Sequence, residues 1–374
     1  MNTHLQGKIL GLPHLSIYDD DSITIEKFVG DRREEFFKEI EDRIWLYLDL
    51  NHWIGMRDAL RFENNQVYFE FYEKLKKAVN DRIAICLISD IVLFELMSQS
   101  DQSSRSLTAK LITELTISFV ITGLHELEPV LTRNSLSSAF QLNQLIYPIE
   151  RILINKAPSI LGIGVPIFKN PTLLKKQCMI QKKVFDAINR LSFSEMLEFG
   201  DQTGYPLRKK MESVVDFLNS NRHIHVQHQG NFEEIFHAEF SGIVDLLVDK
   251  ALETSLLQDI LKVYPLTKDM MKKTLTDVIH KKQKDNYHLL PDIILAKLYA
   301  SVYFDKQMKF NSNHLNDFKH AAYALSYCDV FFTDGRFHRR LMQTPLRLNK
   351  KHKTCICSKP QELTNALAGI GDFA

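Results

Sequence analysis

The sequence predicts an α/β fold built on a parallel sheet with helices on both faces. Two observations carry this expectation. Short runs that are apolar at nearly every position, instead of alternating, recur along the chain, as strands buried on both faces require. Stretches with apolar residues at three- and four-residue steps lie between them, which supplies the crossover helices of a parallel sheet. The 374 residues include 45% hydrophobic residues and balance 47 Lys and Arg against 46 Asp and Glu, a net charge of +1. Such a chain has room for one large domain or two ordinary ones. Its near-neutral charge excludes a globally basic nucleic-acid binder and leaves any polyanion to local patches.

Taken in order, residues 1–40 read as an N-terminal extension, with turns around Gly11-Leu12-Pro13 and Asp19-Asp20-Asp21 before a charged helix over 31–42. The N-terminus lacks the basic start and apolar run of a signal peptide, so none is expected. Residues 44–48 are a first strand, ending in Asp49-Leu50-Asn51 and followed by helices over 52–60 and 66–79. Residues 83–88 are a second strand, ended by Ser89-Asp90, with Glu95 near the second turn of the helix after it. A helix over 104–115 precedes a third strand at 117–122. From there the strand signal fades, and residues 129–290 read as a helical insertion or subdomain, a surface for a protein partner or for self-association. Residues 293–303 are helical, 314–327 form an amphipathic helix with Asp317 in its first turn, 330–333 are a fourth strand ended by Asp334-Gly335, and 354–357 with 360–368 give a last strand and helix. The least polar loop, 159–168, is far too short to span a bilayer, so no membrane partner is expected. Cys86, Cys178, Cys328, Cys355 and Cys357 show no CxxC spacing and read as reduced core residues of a cytoplasmic protein.

Open α/β sheets place their sites outside the carboxyl ends of their strands. That rule sorts the acids. Asp49 and Asp334 end strands, Glu95 lies early in a helix that follows one, and Asp317 opens the helix that runs antiparallel into the fourth strand, so all four are expected at one edge. Asp329 starts the strand that Asp334 ends, about 16 Å away at ~3.3 Å per residue, and belongs to the opposite edge; it and Asp90, which ends the second strand, read as caps. Converging carboxylates repel one another unless a cation joins them, and hard oxygen donors suit Mg²⁺ or Mn²⁺. One or two such ions orient and deprotonate a water and stabilise the leaving oxygen of a phosphodiester. Asn51 and Thr333 stand beside the acids as supporting polar groups.

The segments Leu48 to Trp53 (LDLNHW), Ser89 to Leu96 (SDIVLFEL), Leu315 to Phe337 (LNDFKHAAYALSYCDVFFTDGRF) and Thr354 to Leu363 (TCICSKPQEL) resemble, in that order, the four segments of PIN-like nuclease domains. The resemblance covers residues 41–128 and 291–374. It implies a PIN-like three-layer fold with a parallel central sheet, Mg²⁺ or Mn²⁺ dependence, and endonuclease activity on RNA or, less often, DNA. Carried over position by position, it assigns Asp49, Glu95, Asp317 and Asp334 as the catalytic, metal-holding quartet, with Asn51 as the small polar neighbour of the first. Where the family's last acid is usually followed by another acid or polar pair, this chain has Gly335-Arg336. The block 129–290 has no counterpart in a minimal domain of this kind.

Basic residues follow Asp334 closely: Arg336, Arg339, Arg340, Arg347, Lys350, Lys351, His352 and Lys353. Beside an acidic edge they are expected to meet a phosphate backbone, with Arg336, Arg339 and Arg340 the nearest, and to position the strand without reading its sequence. Lys272, Lys273, Lys281, Lys282 and Lys284 form a second patch. His223 to His228 (HIHVQH) lacks a cysteine or HExxH partner and reads as a solvated loop, and His320 as a packed histidine. Two other classes compete with a nuclease. One is a binding module on the same fold that takes nucleic acid or protein without turnover. The other is an aspartate-nucleophile phosphatase of the haloacid dehalogenase type, which wants a second Asp where Asn51 stands.

Overall fold

The continuous apolar runs become strands, and the computed structural model places them in an α/β arrangement. It describes residues 16–161, 166–167, 169, 176–200, 207–228, 231–280 and 287–371. In chain order the main elements are α1 (Ile25–Ile40), β1 (Ile44–Leu48), α2 (Leu50–Phe62), α3 (Gln66–Asn80), β2 (Ala84–Leu87), α4 (Asp90–Met97), α5 (Gln102–Thr116), β3 (Phe119–Ile121), α6 (Leu124–Ala139) and β4 (Ile154–Lys156). They continue with α7 (Gln177–Ile188), α8 (Phe193–Gly200), α9 (Leu207–Ser220), α10 (Phe232–Leu252), α11 (Lys268–His280), α12 (Leu290–Phe304), α13 (Ser312–Tyr327), β5 (Val330–Phe332), α14 (Gly335–Met342), β6 (Cys355–Cys357) and α15 (Leu363–Gly371). Four strands form a parallel sheet in the order β2-β1-β5-β6. No helix among the described residues is long and apolar enough to cross a membrane.

The chain forms two compact units. The first comprises residues 1–43, 53–122 and 148–204. In it β3 continues from β2 through a parallel bridge between Ile88 and Val120, and β4 runs antiparallel to β3 with Val120 opposite Asn155. The third strand expected at 117–122 is thus present, whereas β4 lies in a stretch read as helical. A three-residue strand carrying Asn155 and Lys156 has too short a pattern for periodicity to register. Lys156 sits with its amine 3.1 Å from the centre of the Phe119 ring, and burial lowers its pKa to about 8. The block 129–290 is shared between the two units.

The second unit comprises residues 44–52, 123–147 and 205–374. β1 and β5 pair with Leu46 opposite Val330 and Leu48 opposite Phe332, and β5 pairs with β6 with Phe331 opposite Ile356. Leu46, Tyr47, Leu48 and all of β5 are fully buried, as their uniform apolarity demands. α13 packs on this sheet, and its small residues Ala321, Ala322 and Ala324 are buried. Its cap is Asn311, whose Oδ1 accepts from the His314 amide at 2.9 Å. The helix therefore starts two residues earlier than the periodicity suggested, and Asp317 falls in the second turn instead of the first. Asp329 caps the opposite edge as expected: the Trp45 amide donates to its Oδ2 at 2.8 Å. His320 is packed as expected, its Nδ1 2.8 Å from the Tyr47 hydroxyl.

HIHVQH is the solvated segment expected at His223 and Ile224, which are exposed, but not at His225. It forms a 3₁₀ segment, Asn221–His228, in which His225 is buried, 2.8 Å from the Glu239 carboxylate and against the Tyr303 ring. For His225, the Glu239 carboxylate and the Tyr303 ring offset the cost of leaving water.

Asp292, on α12, is 1% exposed and its Oδ2 has no hydrogen-bond partner, so burial raises its carboxyl well above the usual range, with the Glu128 charge adding to the effect. A raised acid stabilises the fold fully below its unfolded pKa of about 3.9, and that contribution is lost as pH rises through the higher folded value. Each tenfold difference in proton affinity between the folded and unfolded chain corresponds to about 1.4 kcal/mol. Asp292→Asn is expected to melt above wild type at neutral and alkaline pH, the gap closing as pH falls toward about 4. Thermal unfolding across that range measures it, and a gap that does not change with pH sinks the assignment.

Candidate functional site at the carboxyl edge of β1 and β5

Asp49 follows directly on β1, and its backbone amide donates to the Phe332 carbonyl at 3.0 Å, which carries the strand pairing one residue further. Its side chain then turns back. Oδ1 accepts from the amides of Asn51 and His52, at 3.1 and 3.4 Å, and so satisfies the open first turn of α2. Oδ2 accepts from the Asp334 amide at 2.9 Å. The carboxylate, 4% exposed, clips the end of β1 to the end of β5.

Asp334 in turn caps α14, its Oδ1 accepting from Arg336 at 2.7 Å and from Phe337 at 3.1 Å. Oδ2 takes no part in these bonds. Gly335, which departs from the expected sequence pattern, opens α14 with nothing within 4 Å of where a Cβ would stand, so a glycine is not sterically required there. Thr333 is buried, its carbonyl 3.3 Å from Nε2 of His52, and Asn51 is exposed.

A cleft of about 900 Å³ opens beside this edge, within the second unit. Asp317 and Asp334 both line it, as the antiparallel packing of helix and strand implied, together with Asp305, His314, Arg336, Arg339 and Arg340. Stacking of Phe318 on Phe337, with centroids 6.0 Å apart, ties α13, which carries Asp317, to α14, which Asp334 caps. Arg340 lies over the Phe318 ring at 5.3 Å and donates to the Ser301 hydroxyl at 2.8 Å. Burial lowers its pKa to about 10, opposed by Asp305 and Asp317, so it stays charged at neutral pH. His314 stacks on the other side of this cluster, 5.9 Å from Phe318, and burial with the Arg340 and Arg336 charges drops it to about 4, so its ring is neutral.

Arg336 and Arg339 are exposed and make no ion pair among the described residues. Both are therefore free to meet a phosphate at the cleft. For an RNA strand held at these arginines, Arg336→Ala with Arg339→Ala is expected to weaken binding to all sequences alike and to lower the slope of log affinity against log salt by about 0.7 per lost contact. Fluorescence anisotropy between about 50 and 200 mM salt reads this, and an unchanged slope sinks it. In the second basic patch Lys272 pairs with Asp245 at 2.7 Å, and Lys281, Lys282 and Lys284 lie outside the described residues.

No family model, curated protein or solved structure matches this chain. The site rests on its own geometry.

Among the described residues no three His, Cys, Asp or Glu side chains are grouped to hold a metal ion. Glu95 lies half-buried on α4, in the first unit, and Asp49, Asp317 and Asp334 in the second. Of the expected quartet, Asp49 and Asp334 meet through a hydrogen bond and Asp317 and Asp334 through the cleft. The carboxylates of Asp317 and Asp334, with no thiolate on the wall, fit a hard divalent cation, since Mg²⁺ is commonly held by one or two carboxylates with water and substrate phosphate completing the shell. Sequence reasoning missed other lining residues of the cleft, Asp305, Met308 and His314 among them. His314 was within reach, because it precedes Asp317 by three residues and so shares its face of the helix.

Proposed function

We propose that this chain is a cytoplasmic, Mg²⁺- or Mn²⁺-dependent nuclease with a PIN-like domain, hydrolysing phosphodiester bonds in RNA in preference to DNA. The observation that carries the reading is the cleft in which two carboxylates at a carboxyl strand edge share a wall with three arginines. In this reading Asp317 and Asp334 hold the cation, which when bound lowers the pKa of a water and stabilises the leaving oxygen. Asp49 is a positioning residue that fixes the Asp334 backbone through its 2.9 Å bond. Arg336 and Arg339 hold the phosphate backbone, and Arg340, anchored on Phe318 and Ser301, supplies a fixed positive charge inside the cleft. Glu95 enters the proposal from the resemblance alone, as a metal or water-orienting residue. The block 129–290 is assigned to substrate access or a protein partner.

The test is cleavage of labelled single- and double-stranded RNA and DNA with Mn²⁺ or Mg²⁺, wild type against Asp334→Asn. Cleavage of RNA by wild type that the variant loses supports the proposal; equal cleavage by both overturns it. A second reading, a module that binds nucleic acid or protein without turnover, is favoured by one observation: both Asp49 oxygens are occupied by backbone amides. RNA bound tightly and left uncut with both metals decides for it.

A further inference from the structure

β6 is an edge strand with a sequence that alternates Cys, Ile, Cys. Residues two apart on a strand point to the same face, so Cys355 and Cys357 share one. Both are free thiols, and their Sγ atoms stand 3.7 Å apart. Two chemistries compete for such a pair. A disulfide needs the sulfurs at about 2.05 Å, and two extended residues at ~3.3 Å each put the Cα atoms about 6.6 Å apart, near the upper limit for that bond. Closing it would pull the strand out of register with β5, where Val330 pairs with Cys355 and Phe332 with Cys357. A chelate asks for no such movement. Tetrahedral thiolate ligation with metal–sulfur bonds of about 2.3 Å sets neighbouring sulfurs about 3.8 Å apart. That is the separation already present.

We propose that Cys355 and Cys357 form a two-thiolate chelating site for a thiophilic cation of the Zn²⁺ and Cd²⁺ class. The site is independent of the carboxylate cleft and of the nuclease reading. Cys355 is half-buried at the sheet edge, which gives an ion access, and Cys357 is 3% exposed, which holds its sulfur still. The Glu362 carboxylate is held nearby by the amides of Ser358 and Lys359, each at 2.7 Å, and its negative charge acts on both thiols. That charge favours a cation over the bare pair. Among the described residues no third His, Cys, Asp or Glu joins them in a metal-holding group, so water or an exogenous ligand fills the remaining positions. Binding is an exchange without redox: two metal–sulfur bonds replace two metal–water bonds of the hydrated ion, both S–H bonds break, and the two protons leave to solvent.

The experiment titrates the metal-free full chain with Cd²⁺ and follows thiolate-to-metal charge-transfer absorption together with proton release in weak buffer. Wild type is expected to saturate at one equivalent with both signals. Cys355→Ser and Cys357→Ser are each expected to lose the absorption and to weaken Cd²⁺ binding by about 100-fold or more, beyond what losing an outer-shell partner costs. Cys355→Ala and Cys357→Ala leave no buried hydroxyl, and unchanged melting in those variants separates loss of a ligand from loss of the fold. Absence of the band in wild type overturns the proposal, as does a band that survives either substitution.

Discussion

Asp334→Asn is expected to lower Mn²⁺-dependent cleavage of RNA by about 100-fold or more while leaving the fold intact. The two halves of this expectation come from different oxygens. Oδ1 accepts from the amides of Arg336 and Phe337 and starts α14, and the oxygen of an asparagine does the same, since Asn and Asp are equally good caps. The helix loses only the attraction between a full charge and its N-terminal dipole, about 0.3–1 kcal/mol. Oδ2, by contrast, becomes an amide nitrogen that repels a cation and cannot ligate it. Urea unfolding and cleavage rates on the same preparation check both halves. Asp317→Asn, in the second turn of α13 and so past its capping residue, is expected to match it in rate. Cleavage by Asp334→Asn within a few-fold of wild type sinks the metal assignment.

How much of this was legible beforehand follows from what each feature depends on. β1 and β5 were readable because a strand buried on both faces must be apolar throughout, as IWLYL and VFF are. Asp49 and Asp334 were readable as strand ends for the same reason. The start of α13 was misjudged by two residues because its boundary is set by the Asn311 side chain, which periodicity does not weigh. β4 was invisible because two of its three residues, Asn155 and Lys156, are polar, so it lacks the apolar run that marks β5. The arginines were read as one basic face, yet Arg340 is anchored on Phe318 and Ser301, while Arg336 and Arg339 stay in solvent. Charge is local in sequence, but burial depends on residues up to 39 positions away. Of the hydrogen bonds of Asp49, the one to Asp334 was beyond reach, since that partner lies 285 residues on.

That last bond makes Asp49→Asn a different experiment from Asp334→Asn. The Asp49 carboxylate accepts from three amides, two through Oδ1 and that of Asp334 through Oδ2. An asparagine keeps one oxygen, which the two amides at the start of α2 require. Its nitrogen then faces the Asp334 amide, donor against donor, at a position only 4% exposed. An unsatisfied buried donor costs about 1–3 kcal/mol, so Asp49→Asn is expected to unfold at lower urea by that amount, whereas Asp334→Asn is not. The variant also frees the end of β5 from the end of β1. Asp334 then loses its fixed backbone, and cleavage is expected to fall without the cation losing a ligand. Raising Mn²⁺ should therefore leave the Asp49→Asn rate low, with the half-saturating Mn²⁺ close to wild type, while Asp334→Asn shifts that half-saturation upward. An unfolding midpoint equal to wild type for Asp49→Asn would remove the clip. A large shift in its Mn²⁺ requirement would make Asp49 a ligand in its own right.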